Sequence, residues 1–278
     1  MGAHAAQRRI MHQYTPNFDR NVHCLLGLPF DALNLHQATA LVQDAAKNRT
    51  PCFLSTPNLN FLVTSRRDAA FRQSVLHSNL SLADGMPIVW LARLMGTPMP
   101  QRVAGSDLFE ALRANANDPI KVYFFGGLPG VAQEAHRVLN AAGGSMKSVG
   151  YADPGFVPVQ DMGSDATLRA INQSAPDFLV VALGAGKGQA WIEKYKTLLN
   201  VPVISHLGAV VNFVAGTVQR APRWMQKSGL EWLWRIWEEP SLWKRYWNDG
   251  LGLLRFLTFN VPAARICLLQ MGLGKPSA

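Results

Sequence analysis

The sequence reads Phe53-Leu54-Ser55-Thr56-Pro57-Asn58-Leu59-Asn60 where a first apolar run stops at a polar turn. A second run stops in the same way at Leu80-Ser81-Leu82-Ala83-Asp84-Gly85-Met86-Pro87, and the stretch closes with Gln101-Arg102-Val103-Ala104-Gly105-Ser106-Asp107. Each apolar run predicts a strand that leads through small polar residues, Pro or Gly into a helix. In open α/β sheets, ligands bind where the carboxyl ends of strands meet helix starts. We therefore expect Thr56, Asn58 and Asp84 to lie at a ligand-binding edge.

The rest of the chain repeats this alternation of strand and helix. Further strands are predicted by the apolar runs at 22–30, 120–125, 177–183 and 201–205. We expect a helix capped by Asn34, one helix over 58–74 and a helix that begins at Ala190. The pattern predicts an α/β fold, with a Rossmann-like, mostly parallel sheet flanked by helices.

The composition predicts a folded chain whose last quarter differs from the rest. Hydrophobic content is 48% and charged content 16%, which excludes a disordered chain. Residues 217–278 hold nine Lys and Arg against four Asp and Glu, a net +5 of the total +9, and six of the eight tryptophans. We expect a disordered leader at 1–20, an α/β core at 21–216 and a basic, Trp-rich, helical appendage at 217–278.

Charge and cysteine usage indicate where the chain works. Tryptophan favours the headgroup level of a bilayer, so the basic appendage predicts an anionic membrane surface as partner and no nucleic acid. Three scattered cysteines indicate a reducing compartment. The first twenty residues lack a signal-peptide core, and no uncharged apolar run is long enough to span a bilayer. We expect a cytoplasmic protein, peripheral on the inner face of the cell membrane.

Two glycine-rich turns are candidate phosphate sites. Gly126-Gly127-x-x-Gly130 follows a predicted strand, where helix-start amides attract anions, but such glycines also serve tight packing. Gly184-Ala185-Gly186-Lys187-Gly188-Gln189 adds a cation at a helix start, where a bound anion makes its charge favourable. The alternative is a flexible loop with a solvated lysine.

Asp84 is the candidate catalytic residue. A partly desolvated carboxylate at the sheet edge can act as a general base on a hydroxyl. The alternative is an N-cap for the helix that starts at Met86. Asn58 and Asn60 carry amides that suit sugar hydroxyls, although Thr56 and Asn58 also fit as cap and turn residues. No carboxylate pair or His/Cys cluster has metal-ligand spacing, so we expect no metal site and no cofactor.

Arginines of the appendage are candidate phosphate ligands. Guanidinium groups match the geometry of phosphate and pyrophosphate oxygens. The alternative is an ordinary solvated basic helix face. The candidates are Arg220, Arg223, Arg235 and Arg245.

Together these motifs resemble the WecG/TagA/CpsF glycosyltransferases over about residues 22 to 250. The matching runs are Thr56-Pro57-Asn58, Ala83-Asp84-Gly85, Arg102-Val103-x-Gly105-x-Asp107, Phe125-Gly126-Gly127-x-Pro129-Gly130-Val131-Ala132, Pro176-Asp177-x-Leu179-x-Val181-x-Leu183-Gly184, Phe213-x-Ala215-Gly216-x-x-x-Arg220-Ala221-Pro222-x-Trp224-Met225, Gly229-Leu230-Glu231-Trp232-x-x-Arg235, Glu239-Pro240 and Arg245-Tyr246.

The resemblance implies a metal-independent, inverting transferase. In the family, a sugar passes from a UDP-sugar to a saccharide on a polyprenyl pyrophosphate at the inner membrane face, for exopolysaccharide or another envelope glycan. It implies that Asp84 is the base and that Thr56 and Asn58 line the donor site. It also implies that the appendage completes the pocket and meets the membrane or the pyrophosphate. We add Asn60, Arg102 and Gln189 to the expected substrate-binding set.

One motif departs from the family pattern Gly-x-Pro-Lys-Gln-Glu-x-Trp. Here Gly186, Gly188 and Gln189 replace Pro, Gln and Glu. These positions are expected near the donor, so both a plain hexose and an N-acetylhexosamine donor stay open.

Two other classes of protein also stay open. A catalytically silent adaptor on anionic membranes would keep the basic appendage without turnover. A Rossmann oxidoreductase is the less favoured alternative, because GxGxxG spacing is missing. A homo-oligomer is a further possibility on which the sequence is silent.

Overall fold

The computed structural model describes residues 18–261. Most of the expected leader and the end of the expected appendage, at 262–278, lie outside the described residues. The strands are β1 Val22–Leu25, β2 Leu28–Asp31, β3 Cys52–Ser55, β4 Leu80–Ser81, β5 Lys121–Gly126, β6 Lys147–Ala152, β7 Phe178–Ala182 and β8 Val203–His206. The helices of the first part are α1 Leu35–Asn48, α2 Leu59–Ser65, α3 Ala69–Leu76, α4 Met86–Leu94, α5 Gly105–Ala114, α6 Val131–Ala141, α7 Asp165–Gln173, α8 Ala185–Tyr195 and α9 Gly208–Ala215.

The main sheet is parallel throughout, with strand order β4-β3-β8-β7-β5-β6. Strand β8 lies between β3 and β7, and the register pairs Leu54 with Ser205 and Val181 with His206. Helices flank this sheet, which confirms the predicted Rossmann-like α/β fold. The carboxyl ends of β3, β4, β5, β7 and β8 therefore share one edge.

Apolar side chains cover both faces of the sheet. Adjacent residues of β5 point to opposite faces of the sheet. Phe124 lies in the apolar cluster on one face, and Phe125 lies in the cluster on the other. Phe125 stacks on Trp191 of α8 with ring centroids 4.4 Å apart, and both side chains are fully buried. Burial on both faces explains why these strands read as continuous apolar runs.

The predicted single strand at 22–30 is wrong, because the chain turns back within it. Strands β1 and β2 form an antiparallel hairpin, with Leu25 paired to Leu28 across a two-residue turn. Leu26 and Gly27 have φ values of 52° and 92°, the left-handed region that two-residue hairpin turns require.

Two predicted helices have different limits in the structure. The single helix expected over 58–74 is two helices, because the Asp68 side chain accepts the backbone N–H of Phe71 at 2.9 Å and caps a new start. Helix α8 begins at Ala185 instead of Ala190. The glycine-rich run 185–189 is therefore the first turn and a half of a helix, and the flexible-loop interpretation is wrong.

The predicted cap of the first helix is confirmed. The Asn34 side chain accepts from the backbone N–H of Gln37, and the Gln37 side chain accepts from the backbone N–H of Asn34, each at 2.9 Å. This reciprocal capping box satisfies two amide groups that a helix start otherwise leaves without a partner.

The C-terminal part is helical and lies over the carboxyl edge of the sheet. It contains α10 Arg223–Ser228, α11 Glu231–Glu238 and α12 Trp243–Arg255, with a 3-10 turn at Pro240–Leu242 and a π-helical turn at Phe256–Asn260. Gly229, with φ of 78°, ends α10 and separates it from α11. Across residues 18–261, each helix is too short or too polar to cross a bilayer.

Candidate active site

A cavity of about 920 Å³ lies between the carboxyl edge of the sheet and the C-terminal helices. It brings together predicted site residues from distant parts of the chain. Those that line it are Thr56, Asn58, Asn60, Asp84, Arg102, Gly127, Gly184, Lys187, Arg235 and Arg245. Gly126, Gln189, Arg220 and Arg223 are not among its lining residues.

Asp84 follows β4 and faces this cavity. Its backbone N–H donates to the carbonyl of Pro57 at 3.1 Å, which fixes the turn after β4 against the turn after β3. The N-cap of α4 is Gly85, and that helix start has no side-chain cap. The N-cap alternative for Asp84 is therefore wrong.

The surroundings of Asp84 favour the neutral form of its carboxyl group and raise its pKa far above the usual range. Burial raises the pKa of Asp84 to about 7, and Glu231 and Asp107 add to this increase. The Arg102 guanidinium and a hydrogen bond from the backbone N–H of Gly105 act in the opposite direction. A carboxyl group with a pKa near 7 is well matched to general-base catalysis near neutral pH.

The polar residues after β3 have defined partners. Thr56 is buried at the end of the strand. Asn58 caps α2, since its side-chain oxygen accepts the backbone N–H of Phe61 at 3.3 Å, and it also lines the cavity. The Asn60 amide donates to the Asp249 carboxylate at 3.0 Å, which joins α2 to α12 across one side of the cavity.

Four helices that begin at the cavity lack side-chain caps. These are α4, α5, α8 and α9. Asn58 caps α2 at the cavity, and Asn34, Asp68 and Ser164 cap helices that start away from it. Uncapped helix starts leave backbone N–H groups available to anions. Gly184, with φ of 76°, and Lys187 lie at one such start and line the cavity.

The two glycines after β5 have different surroundings. A side chain on Gly126 would come within 2.6 Å of Leu183, so this glycine serves close packing between the ends of β5 and β7. Gly127 lines the cavity, and its N–H donates to the carbonyl of Ala182 at 2.7 Å.

Gln189 lies inside the protein and does not face the cavity. Its amide nitrogen donates to the Ser55 hydroxyl at 3.0 Å, and its amide oxygen accepts from the Ser74 hydroxyl at 3.3 Å. Ser55 directly precedes Thr56, so Gln189 supports the end of β3. The expected direct contact between Gln189 and a donor is therefore wrong for this structure, because the side chain does not reach the cavity.

Carboxylates already neutralise most of the arginines near the cavity. Arg102 contacts Asp107 at 2.7 Å and Glu231 at 3.3 Å, and Arg220 pairs with the same Asp107. Arg235 contacts Glu239 at 2.7 Å.

The remaining two arginines differ in position. The Arg245 guanidinium lies 4.8 Å from the Tyr246 ring centroid and lines the cavity. Arg223 is exposed on α10 and lies outside the lining. The solvated-surface alternative therefore fits Arg223, whereas Arg235 and Arg245 can reach a ligand.

Sequence reasoning did not nominate five titratable residues that line the cavity: His206, Glu231, Glu239, Tyr246 and Asp249. Asp249 is buried, and burial raises its pKa, while Asn60 and Arg245 act to lower it. Burial lowers the pKa of His206 to about 4. Within residues 18–261, no three His, Cys, Asp or Glu side chains are placed together as ligands for a metal ion.

Comparisons with known proteins agree with the motifs. A sequence model described as the glycosyl transferase WecG/TagA/CpsF family matches residues 23–264. A Bacillus subtilis protein named N-acetylglucosaminyldiphosphoundecaprenol N-acetyl-beta-D-mannosaminyltransferase is 31% identical over 195 residues, 69% of this chain and 73% of the relative. A Bacillus spizizenii protein of the same name is 32% identical over 194 residues, 66% of this chain and 74% of the relative. The chain therefore belongs to the WecG/TagA/CpsF family of glycosyltransferases.

Proposed function

We propose that this glycosyltransferase moves a sugar from a UDP-sugar to a saccharide carried on a polyprenyl pyrophosphate. The observation that carries the proposal is the position of Asp84, a carboxyl group with its pKa raised to about 7 among uncapped helix starts. The names of the two Bacillus relatives, which specify a diphosphoundecaprenol-linked acceptor, support the acceptor class.

In the proposed reaction, ionised Asp84 takes the proton from an acceptor hydroxyl. The acceptor oxygen forms a bond to the anomeric carbon as the bond from that carbon to the UDP oxygen breaks. UDP leaves with the electron pair, and attack from the opposite side inverts the anomeric centre. The Arg102 guanidinium and the Gly105 amide stabilise the charged form of Asp84 before proton transfer.

Charged and amide groups of the chain are proposed to stabilise the leaving pyrophosphate without a metal ion. Lys187 and the N–H groups at the start of α8 lie on the sheet side of the cavity, and Arg235 and Arg245 on the other side. Backbone amides at helix starts and guanidinium groups both bind phosphate oxygens well. Thr56, Asn58 and Asn60 are proposed to hold the donor and acceptor sugars.

The proposed donor is a UDP-linked N-acetylhexosamine or hexose. The relatives' names specify an N-acetylmannosaminyl group, which favours the first class. Gly186 and Gly188 add no side chains to the start of α8, and this difference from the family pattern keeps the second class in the proposal.

Exposed aromatic residues support a peripheral position on the cytoplasmic face of an anionic membrane. The C-terminal helices expose Trp224, Trp237, Trp243 and Trp247 beside several basic side chains. Tryptophan and basic residues together favour the headgroup level of such a bilayer. The same surface would bring the cavity close to a lipid-linked acceptor.

The test is UDP release from a panel of UDP-sugars, with a synthetic lipid-pyrophosphate-linked monosaccharide as acceptor. We expect turnover with one donor class and an increase of the melting temperature with UDP alone. If UDP and UDP-sugars leave the melting temperature unchanged and no donor is turned over, the protein is an adaptor and the proposal is wrong.

A further inference from the structure

His206 lines the cavity at the carboxyl edge of the sheet. It is the last residue of β8, which lies between β3 and β7, and the register places it beside Val181. Its neighbour Leu207 contacts the position of Gly105, next to Asp84, because a side chain on Gly105 would overlap Leu207. The fold therefore holds the imidazole within the same cavity as the proposed base.

Two glycines make room for the His206 ring. A side chain on Gly188 of α8 would overlap the imidazole carbon Cδ2 and lie 2.8 Å from Cγ. The first side-chain atom at Gly208, which lines the cavity, would lie 3.4 Å from Nε2. Gly188 is buried and helical, a position where alanine normally favours the helix. The His206 ring therefore explains why position 188 holds glycine: a larger residue there would overlap the imidazole.

One nitrogen of the ring has no hydrogen-bond partner among the described residues. Nε2 of His206 is fully buried and lacks both a donor and an acceptor there. Buried polar atoms are almost always paired, so this nitrogen calls for a partner that the described residues do not supply. The imidazole is also neutral at physiological pH, because burial lowers its pKa to about 4.

The chemistry of a neutral imidazole selects its partner. Phosphate oxygens only accept hydrogen bonds and prefer cations, and Lys187 and Arg235 already supply positive charge in the same cavity. A sugar hydroxyl can donate to or accept from an imidazole nitrogen, whichever tautomer is present. His206 therefore suits the uncharged, sugar part of a nucleotide-sugar better than its pyrophosphate.

We propose that His206, whose ring fills the space beside Gly188, is a substrate-positioning residue that forms a hydrogen bond with a hydroxyl group of the donor sugar. This inference rests on the proposed function and adds a residue that recognises the sugar. It places sugar recognition at the end of β8 and the start of α8, beside the N–H groups proposed to bind the pyrophosphate.

The test compares binding of UDP and of the preferred UDP-sugar by calorimetry, together with kcat and KM for transfer. In His206→Phe, which keeps a ring of similar size, we expect about tenfold weaker UDP-sugar binding, the effect of one lost hydrogen bond to a buried group. UDP binding should change less than about twofold, because UDP lacks the donor sugar. His206→Gln, which retains hydrogen-bonding groups, should recover part of the loss.

A matched control is His136→Phe, since the His136 ring already pairs with the Ser148 hydroxyl at 2.8 Å on another part of the surface. This variant should bind UDP-sugar like the wild type. Equal loss of UDP and UDP-sugar binding in His206→Phe, or no loss of either, would overturn the inference while leaving the transferase intact. Wild-type protein that binds no UDP-sugar would overturn the proposed function and this inference with it.

The role of Gly188 is tested separately. Gly188→Ala should weaken UDP-sugar binding because the added methyl group displaces the imidazole, and it should have no further effect in a His206→Ala background. Equal effects of Gly188→Ala in both backgrounds would show that glycine is needed for another reason and would contradict this part of the inference.

Discussion

The two walls of the cavity are built in different ways. On the sheet wall, residues such as Phe125 and Trp191 are fully buried, and apolar clusters cover both faces of the strands. On the opposite wall, none of the described side chains of α10 and α11 is buried. Ion pairs link that wall to the core, among them Arg102 with Glu231 and Arg220 with Asp107.

This difference makes the sheet wall rigid and the helical wall adaptable. Close packing holds a residue in one position, and the turn that carries Asp84 is part of the packed wall. Partly exposed ion pairs are weaker and depend on salt and on competing anions. We therefore expect a pyrophosphate that enters the cavity to compete with Glu231 and Glu239 for arginines, while the proposed base, Asp84, keeps its position.

The largest expected effect comes from a single atom change in the packed wall. Asp84→Asn should reduce the rate of transfer by about 10³-fold, within the range for loss of a general base. The amide cannot take the proton from the hydroxyl group of the acceptor saccharide. UDP binding and melting temperature should stay close to wild type. Steady-state UDP release and UDP titration measure both. Asp68→Asn is the control, because asparagine caps α3 as well as aspartate does. A fully active Asp84→Asn enzyme would show that another group removes the proton.

A pair of aromatic truncations compares the stability of the two walls. Phe125→Ala should lower the free energy of unfolding by about 3–5 kcal/mol, because it leaves a cavity beside Trp191. Trp237→Ala, at a side chain that is 82% exposed, should change it by less than about 0.5 kcal/mol. Denaturant titration measures both. Trp237→Ala should instead weaken binding to vesicles that contain anionic lipid. Similar losses of stability in the two variants would contradict the contrast between the walls.

The ion pairs between the walls should contribute less than the core. Asp107→Asn removes the carboxylate shared by Arg102 and Arg220 and should cost about 1–3 kcal/mol of stability. High salt should reduce the difference between variant and wild type. Thermal unfolding at two salt concentrations measures this. The control is Asp118→Asn, whose contact with Lys47 at 3.8 Å is exposed and should contribute little. A salt-independent difference would show that Asp107 acts through packing.

The smallest effect is a change in pH dependence. Because the pKa of Asp84 is raised to about 7, kcat/KM should increase with pH through that value as the carboxyl group loses its proton. Glu231 raises this pKa, so Glu231→Gln should move the rise to lower pH. Glu238→Gln on the same helix is the control and should leave the profile in place. A shift to higher pH in Glu231→Gln would mean that Glu231 acts mainly by orienting Arg102.

The sequence predicts the sheet and the edge that holds the cavity because both depend on local patterns. The apolar runs of β5 and β7 are long enough to indicate burial on both faces, and Asp84 stands directly after an apolar run and before glycine. The Asn34 cap is likewise a local signal, with Gln37 three residues later completing the capping box.

The parts that sequence did not predict depend on distant contacts or on weak local preferences. Asn60 and Asp249 are 189 residues apart, and neither position shows that they pair. Gly186 and Gly188 lower helix propensity, so the start of α8 was placed too late, although tertiary packing forms it. The roles of the site residues, the donor sugar, the domain limits and any oligomer stay predictions.

The end of the described chain attaches the C-terminal helices to the core. Phe256 and Val261 are buried in the same cluster as Leu25 and Phe30 of the N-terminal hairpin. The segment from Gly216 to Phe256, here called the strap, is thus attached to the core at both ends and crosses the mouth of the cavity. A protein shortened to end before residue 256 would keep the strap's first attachment, lose its second, and uncover an apolar surface under the hairpin. Variants that test the C-terminal helices should therefore alter their side chains and retain the chain's length.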